Sequence, residues 1–176
     1  GYVNRDVFKQ DSPVVYGFDG DFTDKDERIV KEFVRVINEI IGYDFFSYST
    51  NSEAITIPIE LRECLSRRPY GHAWGTGSCA GYTGFNNLIA ESIWIDADLY
   101  GLERDHVLIH ELGHSLGLHH SSCIKSGLMS TENVTKNNSV NFTDFEIALI
   151  KFLYTPLETI IDTDNPEGII KNKTTV

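Results

Sequence analysis

The stretch His110-Glu111-Leu112-Gly113-His114-Ser115-Leu116-Gly117-Leu118-His119-His120 decides how this chain reads. On a helix, His110 and His114 stand one turn apart on the same face. Two neutral imidazoles at that spacing can grip one zinc ion. Glu111 borders the same polar side, within reach of a water on that ion. Ile109, Leu112 and Leu116 fall elsewhere around the helix and can anchor it in a core. Gly113 costs roughly 1 kcal/mol against alanine in a helix interior, which predicts a close approach at that point, with a neighbouring strand as the expected partner. Gly117 can adopt a left-handed conformation that ends the helix and turns the chain sharply. His120 can then swing back as a third ligand, which a continuing helix would not allow. Three histidines leave the fourth tetrahedral position open to water, as catalytic zinc requires. His119 has the wrong offset for that role and reads as a neighbour. His-Glu-x-x-His alone is a moderate signal; Gly117 and His120 at their offsets make it a strong one.

The segments around this stretch read as a mixed sheet with helices packed on it. Val14 to Phe18 is strand-like, with β-branched and aromatic residues. The acidic run Asp19 to Asp26 reads as a solvated helix entry rather than a calcium loop. Thr23 is a good N-cap, and Asp24, Asp26 and Glu27 suit the positive end of a helix. Apolar residues then recur with helical spacing from Ile29 to Ile41, and Gly42 is a natural stop. Ile55 to Ile59 alternates like a strand, with Pro58 expected at a sheet edge or strand end. Arg67 to Asn87, rich in Gly, Tyr, Ser and Trp, predicts loops around short strands at His72 to Trp74 and Gly81 to Phe85. Ser92 to Asp98 predicts a strand and Glu103 to Gly117 a helix. Thr143-Asp144-Phe145-Glu146 is a capping box opening a last helix that Pro156 ends. The tail from Asp162 to Val176 is polar. Asp96 and Asp98 read as a solvated strand end, so calcium finds no support. His106 reads as a capping or exposed residue rather than one that supports the metal ligands from behind.

Composition narrows the function. The chain has 176 residues, with 15 Lys and Arg against 26 Asp and Glu, a net charge of −11. That length suits one compact domain, or two lobes around a cleft. The acidic balance argues against a nucleic-acid partner and against docking on anionic lipid. No uncharged apolar run reaches the roughly 18 residues of a membrane span. The start, Gly1 to Asp6, lacks the basic-then-apolar build of a signal peptide, as a mature or trimmed start would. Cys64, Cys79 and Cys123 admit three different single bridges or none. Asn133, Asn137, Asn141 and Asn172 open glycosylation sequons that chance can also produce in a chain this rich in Asn.

His110 to Ser121, followed by Ser126-Gly127-Leu128-Met129, resembles the extended zinc signature of the metzincin metallopeptidases, and most of all the matrixins. Ser121 follows the third ligand as it does in that branch, and Met129, the only Met, lies nine residues after His120 as a Met-turn would. Ile93 to Asp98 and Thr143 to Tyr154 resemble the family's strand before the active-site helix and its last helix. The resemblance implies an α+β catalytic domain: a twisted, mostly parallel mixed sheet with an antiparallel edge strand, a backing helix, an active-site helix and a C-terminal helix. It implies a single domain over 1–176, with an N-terminal lobe at 1–120 and a C-terminal lobe at 121–176. It further implies a secreted, monomeric, zinc-dependent endopeptidase with one catalytic ion. Its substrates would be proteins or peptides.

In that reading His110, His114 and His120 hold the metal, Glu111 is the general base on zinc-bound water, and Ser121, Ser126, Gly127 and Leu128 line a substrate pocket. The peptide is expected to pair with a sheet edge within Tyr70 to Phe85. The chain departs from relatives at several points. No Tyr follows Met129 by two residues, as in astacins and serralysins, and only His72 and His106 remain for the second zinc site of vertebrate matrixins. The archaemetzincin cysteine signature and a prodomain cysteine are missing, so a divergent, minimal member is expected. A peptide-binding module without activity and a hydrolase of non-peptide amides are the other readings, the first disfavoured by an intact Glu111.

Overall fold

The computed structural model describes residues 9–63, 80–86, 89–120, 127–129 and 139–154. Strand β1 (Val14–Asp19) leads into helix α1 (Asp24–Ile41), which begins in a capping box. Thr23 N–H donates to Asp26 Oδ2 at 2.8 Å, and Asp26 N–H donates back to Thr23 Oγ1 at 3.3 Å. The acidic run is thus a helix entry, and α1 ends at Gly42 with φ 86°. After β2 (Phe46–Tyr48) and a short 3-10 turn at Ser52–Ala54 come β3 (Ile57–Arg62), β4 (Gly81–Asn86) and β5 (Ile89–Asp96). Helices α2 (Gly101–Ser115) and α3 (Asp144–Tyr154) complete the described elements.

The five strands form one sheet in the order β2-β1-β3-β5-β4. All neighbours run parallel except β4, which lies antiparallel to β5 at the edge. This is the mixed α+β architecture that the resemblance implies. Pro58 sits inside the sheet rather than at its edge, but at a strand beginning: it registers with Gly17 of β1, and pairing with β5 starts only at Ile59. β5 starts earlier than its composition predicts, because Ala90 and Ile89 close the hairpin opposite Phe85 and Asn86. Ile55 leaves the strand because it ends the preceding 3-10 turn.

The core lies between the sheet and α1 and α2. Ile29, Val30, Phe33, Ile37 and Ile41 form the buried stripe of α1, spaced as an amphipathic helix requires. They meet Tyr16, Ile57, Ile59, Ile93 and Ile95 from the sheet. Tyr16 packs edge-on to Phe33, with ring centroids 6.4 Å apart, and stacks on Phe46 at 6.2 Å. Between the helices, Arg104 Nη2 meets Asp26 Oδ2 at 3.0 Å, and Lys25 pairs with Asp105.

Helix α2 runs two residues earlier than its sequence suggests. Its N-cap, Tyr100, makes no side-chain cap bond, so nothing local marks the start. Its C-terminal carbonyls are met by its own Ser115 and by side chains from elsewhere in the chain. Ser115 Oγ donates to Leu112 O at 2.7 Å, which makes the Tyr16 hydroxyl the donor to Ser115 Oγ, also at 2.7 Å. Gln10 Nε2 reaches Ser115 O at 3.2 Å, and the Tyr154 hydroxyl reaches Leu116 O at 3.0 Å. Burial holds both phenols protonated, well above the ordinary tyrosine range.

Two sequence expectations fall otherwise, and others lie outside the described residues. Asp96 is buried, 4% exposed, not a solvated strand end. His106 is buried as well, at 8% exposure, and not exposed. The strand expected at 72–74, all three cysteines, Ser121, Ser126 and the tail lie outside the described residues. No described helix is long and apolar enough to cross a membrane.

Tyr16→Phe keeps the ring and deletes only the bond to Ser115. Urea unfolding should show a loss of about 1–2 kcal/mol; an unchanged stability would mean that β1 does not help to hold α2.

Candidate metal centre

Helix α2 turns Ile109, Leu112 and Leu116 inward, all fully buried. That orientation leaves His110 and His114 partly exposed on the opposite side. The helix closes with a Schellman motif: Leu118 N–H reaches Gly113 O at 3.3 Å and Gly117 N–H reaches His114 O at 2.9 Å. Gly117 has φ 92°, a conformation costing roughly 1–2 kcal/mol with a Cβ. The reversal brings His120 back over the helix. Its Nε2 lies 3.0 Å from His110 Nε2 and 3.1 Å from His114 Nε2.

Backbone carbonyls settle which nitrogens are free. His110 Nδ1 lies 2.9 Å from Leu128 O, and His114 Nδ1 lies 2.7 Å from Leu118 O. A carbonyl oxygen only accepts, so each Nδ1 carries the proton and each Nε2 presents a lone pair. Lone pairs on two imidazoles then face a third at about 3 Å, with no proton between His110 and His114. Burial lowers the pKa of both, with His114 down to about 4, so neither readily takes up a proton. Two nitrogens each about 2.05 Å from one tetrahedral zinc would be about 3.3 Å apart. The donor set therefore fits a zinc ion in number, chemistry and spacing, with outer-shell carbonyls fixing the rings as metal-bound histidines require. His119 is exposed and outside this cluster. His106, one turn before His110, stands tilted to its ring with centroids 6.0 Å apart.

Met129, 1% exposed, packs against α2 at Gly113. Here the structure corrects the reading of Gly113. A Cβ at Gly113 would stand 2.6 Å from Met129 Sδ and 3.2 Å from Leu128 Cδ2. The close approach is thus to the Gly127–Met129 turn and not to a strand. Leu128, a pocket candidate by sequence, is buried there and offers its carbonyl to His110. The turn is tied to α3 by Glu146: Oε1 accepts from Met129 N–H at 2.9 Å, and Oε2 accepts from Thr143 N–H at 2.8 Å.

Glu111 is 7% exposed and faces β4. The Thr83 hydroxyl lies 2.8 Å from its Oε2 and 2.9 Å from its backbone oxygen. Desolvation pushes the carboxyl up to about 7, against the lowering effect of the Thr83 hydrogen bond.

The sequence profile of the matrixin family matches residues 21–155. That span takes in most of the described sheet, the three described helices and the histidine cluster. The chain belongs to the matrixin family. The chain is distantly similar to two matrilysins. Matrilysin of Rattus norvegicus is 30% identical over 135 residues, 73% of this chain and 50% of that protein. Matrilysin of Mus musculus is 28% identical over 141 residues, 76% of this chain and 53% of that protein. This matrixin thus spans about half the length of the curated relatives it matches.

Thr83, Gly81 and the second bond of Glu146 escape a sequence reading. Glu146 is visible as a capping-box residue, but its partner Met129 is known only once α3 and the turn are docked. Thr83 carries no local signal at all.

Gly113→Ala tests the packing. Helix propensity alone would add about 1 kcal/mol of stability. The approach of Met129 should reverse the sign and lower the thermal midpoint; a raised midpoint would contradict the close contact.

Proposed function

We propose that this matrixin is a zinc-dependent endopeptidase, with His110, His114 and His120 as metal ligands and Glu111 as general base. The convergence of the three Nε2 atoms, two of them fixed as lone-pair donors, is the observation that carries this reading. One zinc ion bound there supplies Lewis acidity, polarising the scissile carbonyl and making water a better nucleophile. Glu111 accepts the proton of the attacking water and hands it to the leaving amine. Met129 and the Gly127–Met129 turn form the floor under the ligands.

The peptide lies extended along the outer edge of β4, where backbone pairing gives affinity without demanding one sequence. The antiparallel edge position of β4 supports this. Ser121, Ser126 and Gly127 line the pocket for the residue after the cut, while Leu128 serves His110. The chain acts as one catalytic domain over 1–176, its lobes 1–120 and 121–176 flanking the cleft. It works as a monomer outside the cell, the setting the matrixin resemblance implies, on protein or peptide substrates.

The test is cleavage of a peptide library, read by mass spectrometry, on wild type and Glu111→Gln, with metal content measured on the same samples. Glu111→Gln should keep its zinc and lose about 10²–10⁴ in kcat. Chelation should abolish cleavage and zinc should restore it. A Gln variant at full rate would overturn the role of Glu111. A zinc-loaded wild type that cleaves nothing would favour the peptide-binding reading.

A further inference from the structure

The edge strand β4 lies directly over Glu111. Gly81 and Thr83 are two residues apart, so both point to the same face of the strand. They register with Ile95 and Ile93 of β5, which are fully buried. At Gly81 a Cβ would stand 2.7 Å from Val107 Cγ1, 2.8 Å from Glu111 Cγ and 3.1 Å from Glu111 Oε1. At Thr83 a hydroxyl 2.8 Å from Oε2 donates to the carboxylate. Thr83 is 3% exposed and Glu111 7% exposed, so water contributes little to the carboxylate's orientation. One position of β4 makes room for the Glu111 side chain, and the other holds one of its two oxygens.

We propose that Thr83, with the room left by Gly81, is the positioning residue that orients the Glu111 carboxylate for proton transfer. The proposal rests on the reading of Glu111 as general base. A glutamate has three side-chain torsions, and a base works only with its oxygen held within hydrogen-bond reach of the proton it takes. Small misplacements at a reacting centre cost orders of magnitude in rate. Thr83 engages Oε2, one of the two carboxylate oxygens, and so limits rotation of the whole group. The hydroxyl has a single proton and also finds Glu111 O at 2.9 Å, so it is tied to the helix backbone as well as to the carboxylate. Because the peptide is proposed to pair along the outer edge of β4, this strand sets the position of both substrate and base.

The experiment compares Thr83→Val, Thr83→Ser and Gly81→Ala with wild type and Glu111→Gln on one cleavable peptide. Metal content and unfolding midpoint are measured for each. Thr83→Val should lose about ten- to hundredfold in kcat, the scale of one hydrogen bond to a charged group, with KM and zinc content unchanged. Thr83→Ser should restore most of the rate. Gly81→Ala, which crowds the carboxylate, should lose kcat in the same way.

Wild-type kcat in Thr83→Val, a loss confined to KM or metal content, or a Ser variant as impaired as the Val variant would each overturn the proposal. Should Thr83→Val fail to fold, full kcat in Gly81→Ala would overturn it instead. These failures differ from failure of the site reading, which would show as a wild type that cleaves no peptide or a Glu111→Gln that cleaves normally, and which would end the positioning proposal as well.

Discussion

Two carbonyl oxygens, of Leu118 and Leu128, determine what the histidine cluster can be. Each takes the Nδ1–H of one imidazole and so turns that ring's remaining lone pair toward the other histidines. Without those bonds, His110 and His114 could present either nitrogen, and the cluster would be three adjacent rings with no fixed chemistry. With them, the three Nε2 atoms form a preorganised cradle for a cation. Both carbonyls come from backbone that leaves regular structure. Leu118 follows the left-handed Gly117, and Leu128 lies in the turn under α2.

Much of the remaining polar structure holds those two carbonyls in place. The Schellman closure at Gly117 sets Leu118. Gln10 and Tyr154 satisfy the last carbonyls of α2 from the segment before β1 and from α3, and Tyr16 of β1 holds the Ser115 hydroxyl. Glu146 fixes the turn that carries Leu128, while also closing the capping box of α3. Gly113 lets that turn approach the helix. Each of these side chains is at least partly buried and hydrogen-bonded, so none can move without leaving a polar group unmet. The site is therefore supported from the sheet, from α3 and from the turn together.

The legible part of the sequence was the part governed by short-range rules. Helical spacing gave away α1 and the face of α2. Gly42 and Gly117 marked helix ends because a positive φ favours glycine. The capping box at Thr143 is plain from three-residue spacing and Thr23 reads as an N-cap, whose box with Asp26 only the structure shows, and Gly81 to Phe85 reads correctly as a strand. What sequence could not show depends on distant partners. Tyr100 offers no cap signal, so the sequence places the start of α2 two residues late. The burial of Asp96 and His106 comes from elements packed over them. Gly113 plainly needed a close neighbour, but only folding reveals that the neighbour is Met129. Thr83 looks like any strand threonine until β4 is laid across Glu111. The functional reading came from five residues at fixed offsets, and the supporting shell from contacts that no offset encodes.

The most direct measurement is X-ray absorption at the zinc edge on the purified chain, paired with an anomalous-difference map at the same energy. The account predicts one ion per chain with three nitrogen ligands at about 2.0–2.1 Å, and an anomalous peak among the Nε2 atoms of His110, His114 and His120. A sulfur ligand in the coordination shell, a peak elsewhere, or a cluster that takes up no ion from excess zinc would contradict it.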